Sequence, residues 1–240
     1  MKNPYKIKFK DLIIFENDDF MAINKPPYIA TLDDRAQPHN IKAWAKEHNP
    51  GSQVCHRLDK ETSGLLLIAK NAGAYRHAAM QFEARKIKKV YHAVVQGIHS
   101  FMETEISLPI LIQGKGNVKI SHSRGKESTT VVTSLEGFKG YSLVEAKPMT
   151  GRMHQIRVHL STQGASIVAD VDYGGERIFL SSIKKKYNLK QWTEEQPLID
   201  RVALHAFSLE LEGMDGKTLK LEAPYPKDFN VLVTQLRKNI

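Results

Sequence analysis

The chain has 240 residues, 41% of them hydrophobic and 25% charged, an ordinary globular composition in which no apolar run approaches membrane-spanning length. Lys and Arg number 35 against 26 Asp and Glu, a net charge of +9 with a pI near 9.4, which suggests a polyanionic partner. The single cysteine, Cys55, excludes a disulfide framework or a cysteine-based zinc site within one chain and fits a reducing, cytoplasmic setting.

Leu12–Phe15 and Phe20–Ile23 flank a polar turn and predict a hairpin, which Asn24-Lys25-Pro26-Pro27 ends because two prolines cannot continue a ladder. Ile41–His48 predicts a short helix, and the apolar run Gly64–Ala69 predicts a strand buried on both faces. Asn71 is placed to cap a helix to about Ala84, with Ala74, Ala78 and Phe82 on one face. The basic cluster Arg85–Lys89 follows, then a strand at Val90–Val95 on which Tyr91, Ala93 and Val95 share a face.

Residues 99–128 are polar and read as a loop or weak hairpin. Thr129–Leu135 and Tyr141–Ala146 predict strands joined by a Gly-Phe-Lys-Gly turn. Thr150-Gly151-Arg152 leads into a helix with Met153, Ile156 and Leu160 as its apolar stripe, His154 and Arg157 on its polar face and Gly164 at its end. The polar segment 176–201, with Lys184-Lys185-Lys186, reads as an excursion from the core. Leu204–Leu211 and Thr218–Leu221 predict another hairpin. Strands outnumber helices and hairpins recur, so the fold class expected is α+β with a mixed, mainly antiparallel sheet.

His56-Arg57-Leu58-Asp59-Lys60-Glu61-Thr62-Ser63-Gly64-Leu65 concentrates the chemistry. A carboxylate held at the mouth of a sheet can act as nucleophile or general base. Locally, an ion pair at a strand end accounts for the same residues. Arg157 is one possible partner for Asp59, and Arg152 could hold a phosphate near a helix N-terminus. The cluster containing Lys88 and Lys89, followed by Tyr91, offers cations for phosphates and a ring for a flipped base. His154 and His159 are five apart, Asp170 and Asp172 stand alone in sequence, and no HExxH motif occurs, so no metal is expected.

These blocks together resemble the class of pseudouridine synthases that act on large-ribosomal and transfer RNA, whose signature is HRLD-x-x-TSGL. Ile23-Asn24-Lys25-Pro26, Lys89–Gly97, Thr150–His159, Asp172-Tyr173-Gly174-Gly175 and Leu204-His205-Ala206 match in the same order, over about residues 12–224. Pro27 departs from the pattern, since many relatives there have a small residue and then glycine.

The resemblance implies a curved sheet with flanking helices, a central RNA-binding cleft and one catalytic domain over 1–240 without a separate S4 domain. It implies isomerisation of a uridine by N1–C1′ cleavage and C5–C1′ bond formation, with Asp59 as catalytic carboxylate, Tyr91 stacked on the base and Arg157 as the cation that keeps Asp59 charged. Arg57 would fill the space of the flipped nucleotide, with His56, Arg152, Lys88 and Lys89 also facing RNA, and the 99–128 segment and Lys184–Lys186 are the candidates for gripping it. No cofactor or metal is needed, and a monomer suffices. A catalytically silent RNA-binding module would satisfy the charge alone but needs no acid at position 59. A glycoside hydrolase would need two flanking carboxylates, and a metal nuclease a carboxylate cluster.

Overall fold

The computed structural model describes residues 7–33, 39–114, 116–185, 187–188 and 194–239. The chain forms two compact units, each from discontinuous sequence: Met1–Lys89 with His205–Pro224, and Val90–Leu204 with Tyr225–Ile240.

In the first unit, β1 (Ile13–Glu16) and β2 (Phe20–Lys25) form the expected hairpin. Asn17 Oδ1 closes its turn by accepting from the Asp19 and Phe20 amides. α1 (Ile41–His48) is capped by Asn40, whose side chain accepts from Ala43 N. After the short β3 (Gln53–Val54), β4 (Ser63–Ala69) pairs antiparallel with β2 and is buried along its whole length, as its unbroken apolar sequence requires. α2 (Ala72–Glu83) starts at Asn71, whose Oδ1 accepts from Ala74 N at 2.9 Å. Ala74 and Ala78 are small enough to let its backbone lie close to the core, and Arg85, in the left-handed region at φ 55°, ends the helical run.

In the second unit, β5 (Lys88–Gln96), which begins at the unit boundary, β6 (Thr104–Ser107), β9 (Thr129–Phe138) and β10 (Tyr141–Pro148) form antiparallel ladders β5–β10, β10–β9 and β9–β6. Between them, β7 (Ile110–Gln113) and β8 (Asn117–Ile120) make a separate hairpin in the region read as a loop or weak hairpin. The turn joining β9 and β10 is tighter than expected. Gly137 and Phe138 stay in the strand, Phe138 is buried, and Gly140 turns the chain at φ 77°. α3 runs Gln155–Thr162, two residues later than its predicted apolar stripe begins. His154 has a left-handed φ of 52°, so Met153 and His154 precede the helix rather than lie on its faces. Gly164, with φ 69°, follows the helix as expected.

The segment 176–201 contains α4 (Leu180–Ile183) and is not simply an excursion. Ile178, Ile183 and Ile199 are buried in the second unit's core. Isolated isoleucines between polar residues make no periodic signal, which is why this anchoring escaped the sequence pattern.

β11 (Leu204–Glu212) and β12 (Thr218–Glu222) return the chain to the first unit as the second predicted hairpin. β11 runs parallel to β4, with His205 opposite Ser63 and Ala206 opposite Gly64. The sheet is therefore mixed, mostly antiparallel, and the fold is α+β. α5 (Lys227–Lys238) belongs to the second unit and buries Phe229, Leu232, Val233 and Leu236. Arg201, fully buried there, donates to both carboxylate oxygens of Asp228 at 2.7 and 3.0 Å and to the Val202 and Leu204 carbonyls. Among the described residues no helix is long and apolar enough to cross a membrane.

Candidate active site

Asp59 lies half-buried in the loop that enters β4. Four contacts from the last residue of β2 and the segment after it hold this loop. Lys25 is 0% exposed. Its ammonium group donates to the Pro26 and Ile29 carbonyls, both at 2.9 Å, and to Lys60 O at 3.2 Å. A buried ammonium is costly unless its protons find acceptors, and these three carbonyls supply them. Tyr28 N also donates to Lys60 O, at 2.8 Å. Thr31 Oγ1 donates to Leu58 O and accepts from Leu58 N. Thr62 N donates to Asp59 O, closing the turn before the strand. The backbone on both sides of Asp59 is thus fixed by residues about 30 positions earlier.

The Ser-Gly that follows has its own reason. A Cβ on Gly64, at φ 112°, would stand 2.2 Å from Ala206 O, so only glycine lets β4 and β11 meet there. Ser63 Oγ and His205 Nδ1 share a hydrogen bond of 3.0 Å, and His205 Nε2 pairs with Ala223 O. The matching of the Thr-Ser-Gly and Leu-His-Ala blocks is a packing contact within one unit.

Arg57 is exposed. Its neighbour His56 has a different setting from the RNA-facing role expected for it. Its Nε2 accepts from Leu67 N at 3.1 Å, and its ring tilts against Phe82. Burial pushes its pKa down to about 3, so it is neutral near pH 7 and steadies the loop against β4. Cys55 is half-buried, and burial pushes its thiol up to about 12, which suits an inert packing residue. Lys88 is exposed and paired with Glu210 at 2.7 Å. Lys89 is half-buried, and desolvation lowers its pKa.

In the second unit, Tyr91 stands on β5 opposite Ala146 and packs beside the core. Arg157 is 7% exposed rather than on a solvated helix face. Its Nε and Nη2 grip Asp170 Oδ2 and Oδ1 at 2.7 and 2.6 Å, and Nη2 reaches Asp172 Oδ2 at 2.9 Å. Its guanidinium also lies 5.0 Å from the centre of the Tyr173 ring, whose hydroxyl bonds His154 Nδ1. The Asp170 and Asp172 carboxylates are thus both engaged by an arginine. Gly175 completes the block, because a Cβ there would stand 1.8 Å from Ile167 O.

Arg152 is half-buried and its Nε donates to Glu127 O. Sequence reasoning passed over Gln155. This buried side chain accepts from Thr150 Oγ1 and Arg152 N and donates to Thr129 O and Thr130 Oγ1, joining the start of α3 to β9. His159, fully buried, bonds Thr130 Oγ1 through Nδ1, and its Nε2 lies within bonding distance of Ser128 Oγ and Leu108 O. Lys184 and Lys185 are exposed, and Lys186 lies outside the described residues.

His92 on β5 bonds the Tyr225 hydroxyl, and burial pulls its pKa to about 4. His56 and His92 are therefore neutral in the fold while unfolded histidine titrates near 6.5. Their contribution to stability is complete above about pH 6.5 and falls as pH drops towards 4, because the unfolded chain then binds more protons. The expected slope is at most about 1.4 kcal/mol per pH unit for each histidine. Thermal melts should show the midpoint falling between pH 6.5 and 5, before most carboxylates protonate, and His92→Gln should flatten that fall.

A sequence model described as RNA pseudouridylate synthase matches residues 19–162. A protein called ribosomal large subunit pseudouridine synthase D from Pseudomonas aeruginosa is 32% identical, the match covering 95% of this chain and 72% of that one. An RNA pseudouridine synthase of Helicobacter pylori, described as uncharacterized, is 36% identical over 92% of this chain and 78% of its own. Among solved structures, human RNA pseudouridylate synthase domain containing 4 superposes with a TM-score of 0.74 at 24% identity, covering 95% of each chain. Human RNA pseudouridylate synthase domain containing 1 gives 0.67 at 27% identity, covering 94% of each. The fold and the matched blocks define an isomerase that acts on RNA. The chain belongs to the RNA pseudouridylate synthase family.

Proposed function

We propose that this protein converts a uridine of ribosomal or transfer RNA to pseudouridine with Asp59 as the catalytic carboxylate. The observation that carries the reading is the Asp59 loop itself, whose backbone Lys25, Tyr28 and Thr31 fix on either side of the acid. A positioned carboxylate is what the reaction needs at the ribose, where it either attacks C1′ or takes a ribose proton so that N1–C1′ breaks. The uracil turns, C5 bonds to C1′, and the C5 proton leaves. Tyr91 stacks on the base and assists that last step. The exposed Arg57 takes the place of the flipped nucleotide. The relatives' names, several of which specify the large ribosomal subunit, favour ribosomal RNA as the substrate. Incubation with transcripts tritiated at uridine C5 tests this reading: the wild-type protein should release tritium, and an absence of release would count against it.

The 99–128 segment and the 184–186 lysines were expected to grip RNA, and the β7–β8 hairpin supports the first. From 106 to 126 the sequence has no acidic residue, and Lys119, His122, Arg124 and Lys126 are exposed. The base of the hairpin is anchored by Ile110 and Val118 packing on Val158. A cationic arm on an apolar base can track phosphates. Replacing Lys119, Arg124 and Lys126 with Ala should weaken RNA binding and flatten its salt dependence by about two log–log units if all three meet single-stranded phosphates. An unchanged slope would put the grip elsewhere, and Lys184 and Lys185 are the next pair to neutralise.

A further inference from the structure

We infer that His205 is a positioning residue for the reaction: it holds Ser63, and through Ser63 and Thr62 it fixes the turn that carries the Asp59 carboxylate. The inference rests on the reading of Asp59 as the catalytic acid. Ser63 and His205 are both 0% exposed, and Ser63 Oγ lies 3.0 Å from His205 Nδ1. The other ring nitrogen, Nε2, lies 3.0 Å from Ala223 O. A carbonyl only accepts, so Nε2 carries a proton. In the neutral ring Nδ1 is then the acceptor, and the Ser63 hydroxyl donates to it. One tautomer satisfies both contacts.

The place of this pair in the sheet says what it is for. Ser63 is the first residue of β4. The ladder from β2 begins at Gly64, opposite Lys25, and the parallel ladder from β11 spans the pairs His205–Ser63 and Ala206–Gly64. Backbone pairing is thus thin where the Asp59 turn meets the strand. One residue earlier, Thr62 N donates to Asp59 O at 3.1 Å. The series Ala223, His205, Ser63, Thr62 therefore sets where the turn leaves the sheet. Its outer end is firm, since Ala223 N donates to Phe207 O and Asn24 Nδ2 donates to Pro224 O, both at 2.8 Å. A buried polar pair adds little net stability over an apolar pair of the same shape. What it adds is direction, because a hydrogen bond fixes distance and angle. A reacting carboxylate needs that, since a displacement of about 1 Å can cost about a hundredfold in rate.

The test separates the two ends of the imidazole in the whole protein. In His205→Asn the side-chain oxygen stands near the place of Nδ1 and still accepts from Ser63, while the bond to Ala223 O is lost. In His205→Gln the longer side chain still donates to Ala223 O, and Ser63 loses its acceptor. Each variant leaves one buried polar group unpaired, so thermal melts should show similar losses. Tritium release from unmodified large-subunit ribosomal RNA, labelled at uridine C5, should tell them apart. His205→Gln should lower kcat by at least about tenfold with KM within about twofold, and His205→Asn should restore kcat to within about threefold of wild type. Ser63→Ala should match His205→Gln, and it decides the matter if that variant does not fold. Equal kcat losses in the two His205 variants, or a kcat near wild type in Ser63→Ala, would overturn the inference. Hydrogen exchange of the Thr62 amide, followed by NMR without RNA, reads the turn independently of catalysis. It should quicken in His205→Gln and Ser63→Ala but not in His205→Asn. A wild-type protein that releases no tritium would sink the catalytic reading of Asp59, whereas unchanged Thr62 exchange in Ser63→Ala would show that His205 does not hold the turn.

Discussion

Asp59→Asn is expected to abolish tritium release from 5-tritiated uridine in RNA, by at least about a thousandfold, while leaving fold and RNA affinity close to wild type. Amide for carboxylate removes both the nucleophile and the base at this position. The loop should survive, because the hydrogen bonds that fix it use the backbone of Leu58, Asp59 and Lys60. Matching melts and RNA titrations for the two proteins check that condition. A catalytically silent binding module would tolerate the substitution. Tritium release that survives it would refute the mechanism assigned to Asp59.

Arg157→Met should be the most destabilising of the substitutions considered. It leaves Asp170, 1% exposed, as a buried carboxylate without its bidentate partner. Breaking such a pair from one side costs about 3–5 kcal/mol, far more than the net worth of the pair. Urea denaturation should show this as a lower midpoint. Asp172→Asn, at a side chain 66% exposed, should shift the midpoint little. The double substitution Arg157→Met with Asp170→Leu should recover part of the loss, since no buried charge then lacks a partner. A single Arg157→Met variant as stable as wild type would mean that the pair carries no structural weight.

The elements whose signals are local were legible in the sequence. Asn71 followed by Ala74 and Ala78 announced α2 and its cap, and the unbroken run before Ala69 announced a strand buried on both faces. The start of α3 was not legible, because the left-handed His154 bonds Tyr173, 19 residues on, and two of the four hydrogen bonds of the buried Gln155 reach Thr129 and Thr130, 26 and 25 residues back. α5 went unread although Phe229, Leu232, Val233 and Leu236 have helical spacing. The signature pointed to Asp59, but what holds it did not show. A lysine beside two prolines reads as a surface residue, and Lys25 is buried only because carbonyls at 26, 29 and 60 converge on it. The carboxylates of Asp170 and Asp172 that grip Arg157 likewise lie beyond its helix and leave no local signal. Sequence motifs name the reacting group, and the supports come from segments that only folding brings together.

The most direct measurement is the mapping of pseudouridine in unmodified large-subunit ribosomal RNA after incubation with the wild-type protein and with Asp59→Asn. The account predicts new pseudouridine at a defined position with the wild type, at unchanged RNA mass because the reaction is an isomerisation, and none with the variant. No new pseudouridine in any ribosomal or transfer RNA, or the same position modified by Asp59→Asn, would contradict it.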